Sequence, residues 1–189
     1  SSAASDVYKR QLGFRVVESF NTTYPPLKLV LLENAELYVE RIPQDVIARK
    51  VWPLIAPWFE DPYMPVRAAM VQKALIFAPK LTDRILNNEL LRQLAKTQVS
   101  PDPRVRTETT VLLGRLTSYL TRSTQSNVLI PAFSRSLKDN YEQARLAGVQ
   151  AFRENADHFD MEVIARQVIP ILSPCLIEKH ADIRDAAGE

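Results

Sequence analysis

Apolar residues in this chain recur at steps of three and four and then stop at short polar turns, a pattern that predicts helices rather than strands. In VIARKVWPLIAPWF (46–59) the apolar stripe is Val51, Trp52, Ile55 and Trp58–Phe59. After a turn at Asp61-Pro62, the stripe resumes with Val66, Met70, Ala74 and Phe77. The next two helical stretches repeat the same phrase 39 residues on, and so do the two after them. Arg67, Arg106, Arg145 and Arg184 stand one period apart, each behind an apolar residue: Val66, Val105, Ala144 and Ile183. Six positions before each arginine stand Asp61, Ser100, Asp139 and Glu178, and fourteen before it Pro53, Arg92, Pro131 and Pro170.

A period near 40 shared by several columns is the mark of a helical solenoid, in which each helix pair buries its apolar face only against its neighbours. Small residues after the arginine (Ala68–Ala69, Ala147–Gly148, Ala186–Ala187) predict close approach of the second helix to its neighbour. The proline within the first helix predicts a bend there. Projected backwards, the period puts Leu27–Lys28 in the Val-Arg slot, with GFRVVESF ending a first helix and LKLVLLENAELYV forming a second. The expected fold is therefore an all-α solenoid of about five stacked helix pairs over residues 12–189, its terminal repeats incomplete, in an excerpt of a longer protein. Residues 1–11 (SSAASDVYKRQ) lack the pattern and are expected to be disordered or of cloning or sequencing-library origin.

Two roles suit the arginine column. A guanidinium near each inter-helix turn can bond carbonyls and the preceding acid, giving a structural ladder, or the arginines can form a stripe for an anionic ligand. The acid recurs with the arginine, which favours a ladder of Asp61, Arg67, Arg106, Asp139, Arg145, Glu178 and Arg184.

Composition narrows the chemistry. Net charge is +2, which neither requires nor excludes a polyanion. Cys175 is the single cysteine, so no disulfide or thiolate cluster is expected. His158 and His180 fall in no metal-ligand spacing, and the four glycines are scattered, so neither a metal site nor a phosphate loop is predicted. Gly114 and Gly148 are expected to mark close helix contacts. No catalytic residues, cofactor, small-molecule ligand or membrane insertion are expected. Residues 80–122 carry eight basic side chains against four acidic ones. Arg84, Arg92, Lys96, Arg104 and Arg115 form a candidate nucleic-acid patch there, against the blander reading of a solvated face.

The Asp…Val-Arg phrase is that of HEAT repeats, an armadillo-like helical architecture. The words LIFAPKL (75–81), NNELLRQLAKTQ (87–98), TETTVLLGRLTSYL (107–120), NVLIPAFSRSLKD (127–139), ARLAGVQAF (144–152) and VIPILSPCLIEKHADIRDAA (168–187), in this order, resemble the HEAT-repeat region of the SCY-like family. That resemblance implies an upstream kinase-like domain with degraded catalytic motifs, hence a pseudokinase scaffold rather than an enzyme. It implies a cytoplasmic, Golgi-associated role in COPI-linked Golgi-to-ER vesicle traffic with coat or tethering proteins as partners. The alternative it offers is tRNA binding in nuclear export of tRNA, through the basic patch. Two departures stand out: Asn140 where a proline is expected, and Asn155 in the column of Phe77 and Leu116, which makes packing of the fourth pair an open question.

Overall fold

A computed structural model describes residues 2–174 and 181–188, and the chain divides into two units, Ser1–Thr82 and Asp83–Glu189. The described residues are helices and turns, with no strand among them. In the first unit, α1 spans Ser2–Ser19 and α2 Pro25–Glu33. α3 covers 44–55 and α4 Met64–Phe77. The second unit holds α5 (85–97), α6 (Pro103–Leu116), α7 (122–137), α8 (Glu142–Glu154), α9 (161–172) and α10 (Ala181–Gly188). These are the five helix pairs that the 39-residue period predicts.

Second helices pack on second helices: α2 on α4 in the first unit, and α6, α8 and α10 side by side in the second. The column before the arginine supplies the contact, with Val66, Val105, Ala144 and Ile183 all buried. Aromatic rings fill the first unit. Phe20 lies 5.8 Å from Tyr38 and 6.2 Å from Trp58, and Trp52 packs against Phe59 and Phe77. In the second, Phe133 and Phe152 meet edge-on at 5.3 Å.

The glycines in helices mark close approach. A Cβ on Gly148 would stand 3.0 Å from Leu137 Cδ2 and Ser136 Cβ, and 3.2 Å from the Phe133 carbonyl oxygen. On Gly114 it would stand 3.3 Å from Ala151 Cβ.

The first helices depart from the simple proline bend. Four of the five, all but α1, contain a wider π-helical turn: Ile47–Val51, Ile85–Leu90, Gln125–Leu129 and Ile164–Val168. In three of them the turn ends just before a proline, which lacks an N–H and crowds the carbonyl four residues back. The second of them has Arg92 in the proline column and keeps the π turn all the same. The widened turn therefore belongs to the repeat, and proline occupies a place already shaped to accept it.

Two further differences from the sequence reading concern helix ends. The stretch LKLVLLENAELYV is not one helix: α2 stops at Glu33, where Asn34 Nδ2 donates back to the Val30 carbonyl at 2.8 Å, and short 3₁₀ turns follow. Asn155 uses the same device, donating to the Ala151 carbonyl at 2.8 Å while 5% exposed. The polar residue in the Phe77–Leu116 column thus ends α8 early and satisfies its own amide, and the fourth pair packs. Residues 2–11 form the exposed N-terminal part of α1, whose buried residue is Val17.

Candidate functional site

Three of the inter-helix turns are built by the side chain that opens them, an acid in two and a serine in the third. Asp61 Oδ1 accepts the Tyr63 N–H at 2.9 Å, and Asp139 Oδ1 accepts the Tyr141 N–H at 2.9 Å. Ser100 Oγ does the same for the Asp102 N–H at 3.2 Å. The arginine six residues later closes the turn through the main chain. Arg67 Nη1 donates to the Asp61 carbonyl at 2.9 Å, Arg106 Nη1 to the Ser100 carbonyl at 2.9 Å, and Arg145 Nη1 to the Asp139 carbonyl at 3.0 Å.

The acid's side chain meets a different cation, the one a repeat earlier. Arg106 donates from Nε to Asp139 Oδ2 at 2.9 Å and from Nη2 to Asp139 Oδ1 at 3.0 Å, a bidentate fork. In the first unit Lys28, standing in the arginine column, donates to Asp61 Oδ2 and lies 5.4 Å from the centre of the Trp58 ring. Both pairs join residues 33 apart. The acid therefore ties its own repeat to the one before it, a link that reading the acid as the same repeat's partner misses. Ser100 breaks the column because it has no carboxylate. Arg184 is exposed, and Glu178, Cys175 and His180 lie outside the described residues.

These contacts set the charges. The hydrogen bond from Arg106 is the main force holding the Asp139 carboxyl below the usual carboxylate range, and the same contact raises the Arg106 guanidinium. Burial alone would push Asp61 up; the Lys28 hydrogen bond and the Tyr63 N–H outweigh it and leave Asp61 lowered.

A buried polar seam beside the Arg106 tie has no counterpart in the sequence reading. Thr109 donates to Thr97 at 2.8 Å, and Thr110 and Ser136 share a hydrogen bond. Gln98 donates to the Ala132 carbonyl at 2.7 Å, linking α5 to α7. The one signal for it was Thr109–Thr110 in the middle of an amphipathic helix, where small hydroxyls can back-bond the helix carbonyls instead.

The basic side chains spread over two helices. Arg92 and Lys96 lie one turn apart on α5, both exposed. Arg84 is ion-paired with Glu89 at 3.0 Å, and Arg92 Nη2 donates to Asn88 Oδ1 at 3.3 Å. Arg104 and Arg115 are exposed at opposite ends of α6, roughly 16 Å apart along its axis. His158 is exposed in a 3₁₀ turn.

A chain of helix pairs with a fixed 39-residue phrase and cation-to-acid ties between neighbouring repeats defines a repeat scaffold. No family model matches the sequence. The "Probable inactive serine/threonine-protein kinase scy1" of Dictyostelium discoideum is 33% identical over 187 residues, which cover 99% of this chain and 23% of that protein. The "Protein kinase domain-containing protein ppk3" of Schizosaccharomyces pombe is 41% identical over 114 residues, 60% of this chain and 18% of its own length. Among solved structures, "Crystal structure of Cex1p" superposes with a TM-score of 0.85 at 28% identity, over 93% of this chain and 34% of that one. The fold is an all-α HEAT-like solenoid, and its homologues are Scy1-like kinase-related proteins, consistent with the HEAT-repeat region of the SCY-like family. It spans less than a quarter of the length of the curated relatives it matches. This segment is a helical scaffold, and the Dictyostelium relative is named as an inactive kinase.

Proposed function

We propose that this solenoid is the interaction platform of a SCY-like pseudokinase that gathers coat or tethering proteins in COPI-linked Golgi-to-ER vesicle traffic, in the cytoplasm and at the Golgi. The observation that carries the reading is the layer of second helices. α6, α8 and α10 stand side by side, and their register is fixed by buried apolar columns rather than by the exposed residues. Such a layer leaves its outer side chains free to serve an extended surface built of many modest contacts. The arginine column, on this reading, is structural: Arg67, Arg106 and Arg145 spend hydrogen bonds on turn carbonyls. No described helix is long and apolar enough to cross a membrane. The test is capture of purified coat and tethering complexes by the folded chain, wild type beside Arg92→Glu/Lys96→Glu. Capture that survives the reversal supports the reading, and absence of capture by the wild type sinks it.

The second reading is tRNA binding in nuclear export. It is favoured by the exposed Arg92, Lys96, Arg104 and Arg115, and by a Saccharomyces cerevisiae relative named "Cytoplasmic export protein 1", 29% identical over 79 residues, 41% of this chain and 10% of that protein. Phosphate contacts release counterions, so tRNA affinity would fall steeply with salt and the double reversal would flatten that slope. A reversal that leaves the slope unchanged refutes this reading.

A further inference from the structure

Ser100 is the exception in the acid column, and its setting suggests a different use for the position. It lies in the 98–102 turn between α5 and α6, outside any helix and half-exposed. Val99 before it is 72% exposed, and the residue after it is Pro101. A hydroxyl followed by proline in an accessible, non-helical turn is the form of substrate that proline-directed protein kinases accept. The chain's other Ser-Pro pair is less suited: Ser173 sits in helical backbone with its hydroxyl bonded to the Ile169 carbonyl at 2.9 Å.

The surroundings of Ser100 would receive an anion. Arg106 Nη1 already reaches the Ser100 carbonyl at 2.9 Å and the Pro101 carbonyl at 3.3 Å. A cavity of about 200 Å³ opens beside the turn, lined by Gln98, Val99, Arg106, Arg135, Ser136 and Asp139. Arg106 has its Nε and Nη2 fixed on Asp139. Arg135, on α7, is exposed, and among the described residues its hydrogen bond is a single one, Nε to Gln98 Oε1 at 3.2 Å. Its guanidinium can turn toward a phosphate at low cost, whereas Arg106 would have to give up a bidentate fork.

We propose that Ser100 is the acceptor for a proline-directed serine/threonine kinase, and that its phosphate seats against Arg135 and the Nη1 edge of Arg106, adding a second tie across the seam between the third and fourth repeats. The donor is a nucleoside triphosphate. The Oγ–phosphorus bond forms as the γ-phosphorus bond to the departing diphosphate breaks, and the hydroxyl proton passes to the kinase's base. The product carries close to two negative charges and three acceptor oxygens, enough for one to three new charge-assisted hydrogen bonds.

The experiment treats the whole folded chain with a proline-directed kinase and ATP, maps the phosphorylated residue by mass spectrometry, and compares amide hydrogen exchange before and after. An unfolded sample serves as control for the sequence as a substrate. The expected result is near-stoichiometric phosphate on Ser100, lost in Ser100→Ala. The amides of the last turn of α7 and of Tyr141 should then exchange about tenfold more slowly. In Arg135→Ala, phosphorylation should proceed and the slowing should disappear. The proposal is overturned if Ser100 is modified only in the unfolded chain. It is equally overturned if phosphate on Ser100 leaves exchange unchanged or faster, or if the slowing persists in Arg135→Ala.

Discussion

Removing the Asp139 carboxylate should cost the second unit about 2–3 kcal/mol. Asp139→Ala deletes both arms of the fork from Arg106, at 2.9 and 3.0 Å, and the acceptor for the Tyr141 N–H that starts α8. An exposed ion pair contributes about 1 kcal/mol or less, while breaking a fully buried one costs about 3–5 kcal/mol. The side chains of Arg106 and Asp139 are 18% and 13% exposed, which places the pair between these limits, at about 1.5 kcal/mol. Loss of a helix-start acceptor adds about 1 kcal/mol. With a urea dependence of about 2 kcal/mol per M, the midpoint should fall by about 1–1.5 M. Helical arrays need not unfold in one step, so two probes are needed. Trp52 and Trp58, the chain's two tryptophans, lie in the first unit and report that unit by fluorescence. Hydrogen exchange of α8 reports the second. A loss below about 0.5 kcal/mol from α8 exchange would refute the claim that this fork holds adjacent repeats together.

Further predictions follow from the same geometry. In acid, the Asp139 carboxyl is held below the ordinary aspartate value, so its stabilisation is complete above about pH 4 and is lost as pH falls through the lower folded value. Urea midpoints from pH 5 down to pH 2 should therefore fall less steeply in Asp139→Asn, which starts lower. Gly148→Val should destabilise by about 1–3 kcal/mol, because its Cβ alone would meet Ser136 Cβ at 3.0 Å and the Phe133 carbonyl oxygen at 3.2 Å; thermal unfolding measures this. Arg92→Pro should cost about 1 kcal/mol or less rather than the ~3 kcal/mol of an interior helix proline, since α5 already has the widened turn that precedes proline in its neighbours; a urea titration decides.

The repeat was legible because side chains that must recur in space also recur in sequence. Val66, Val105, Ala144 and Ile183 fill equivalent places between stacked helices, so one period exposes them all, and Lys28 falls into place by projection. The partner of each acid was not legible. Asp139 is six residues from Arg145 and thirty-three from Arg106, and spacing favours the near residue, but the near arginine is drawn to the main-chain carbonyl while the far one faces the carboxylate. The π turns were hidden for a related reason. Proline marks three of them, but α5 forms its own without proline, so no single residue type announces them. Asn155 looked like a packing fault in an apolar column and is a helix terminator with its amide satisfied. As for the basic side chains, sequence distance put Arg104 and Arg115 in one cluster with Arg92, whereas helix geometry spreads them along α6.

The scaffold reading is tested most directly by measuring equilibrium affinity of the folded chain for purified coat complexes and for tRNA, each at low and at physiological salt. The account predicts saturable binding to a coat or tethering complex with a shallow salt dependence, unchanged by Arg92→Glu/Lys96→Glu. Binding to tRNA alone, falling steeply with salt and abolished by that reversal, would contradict it.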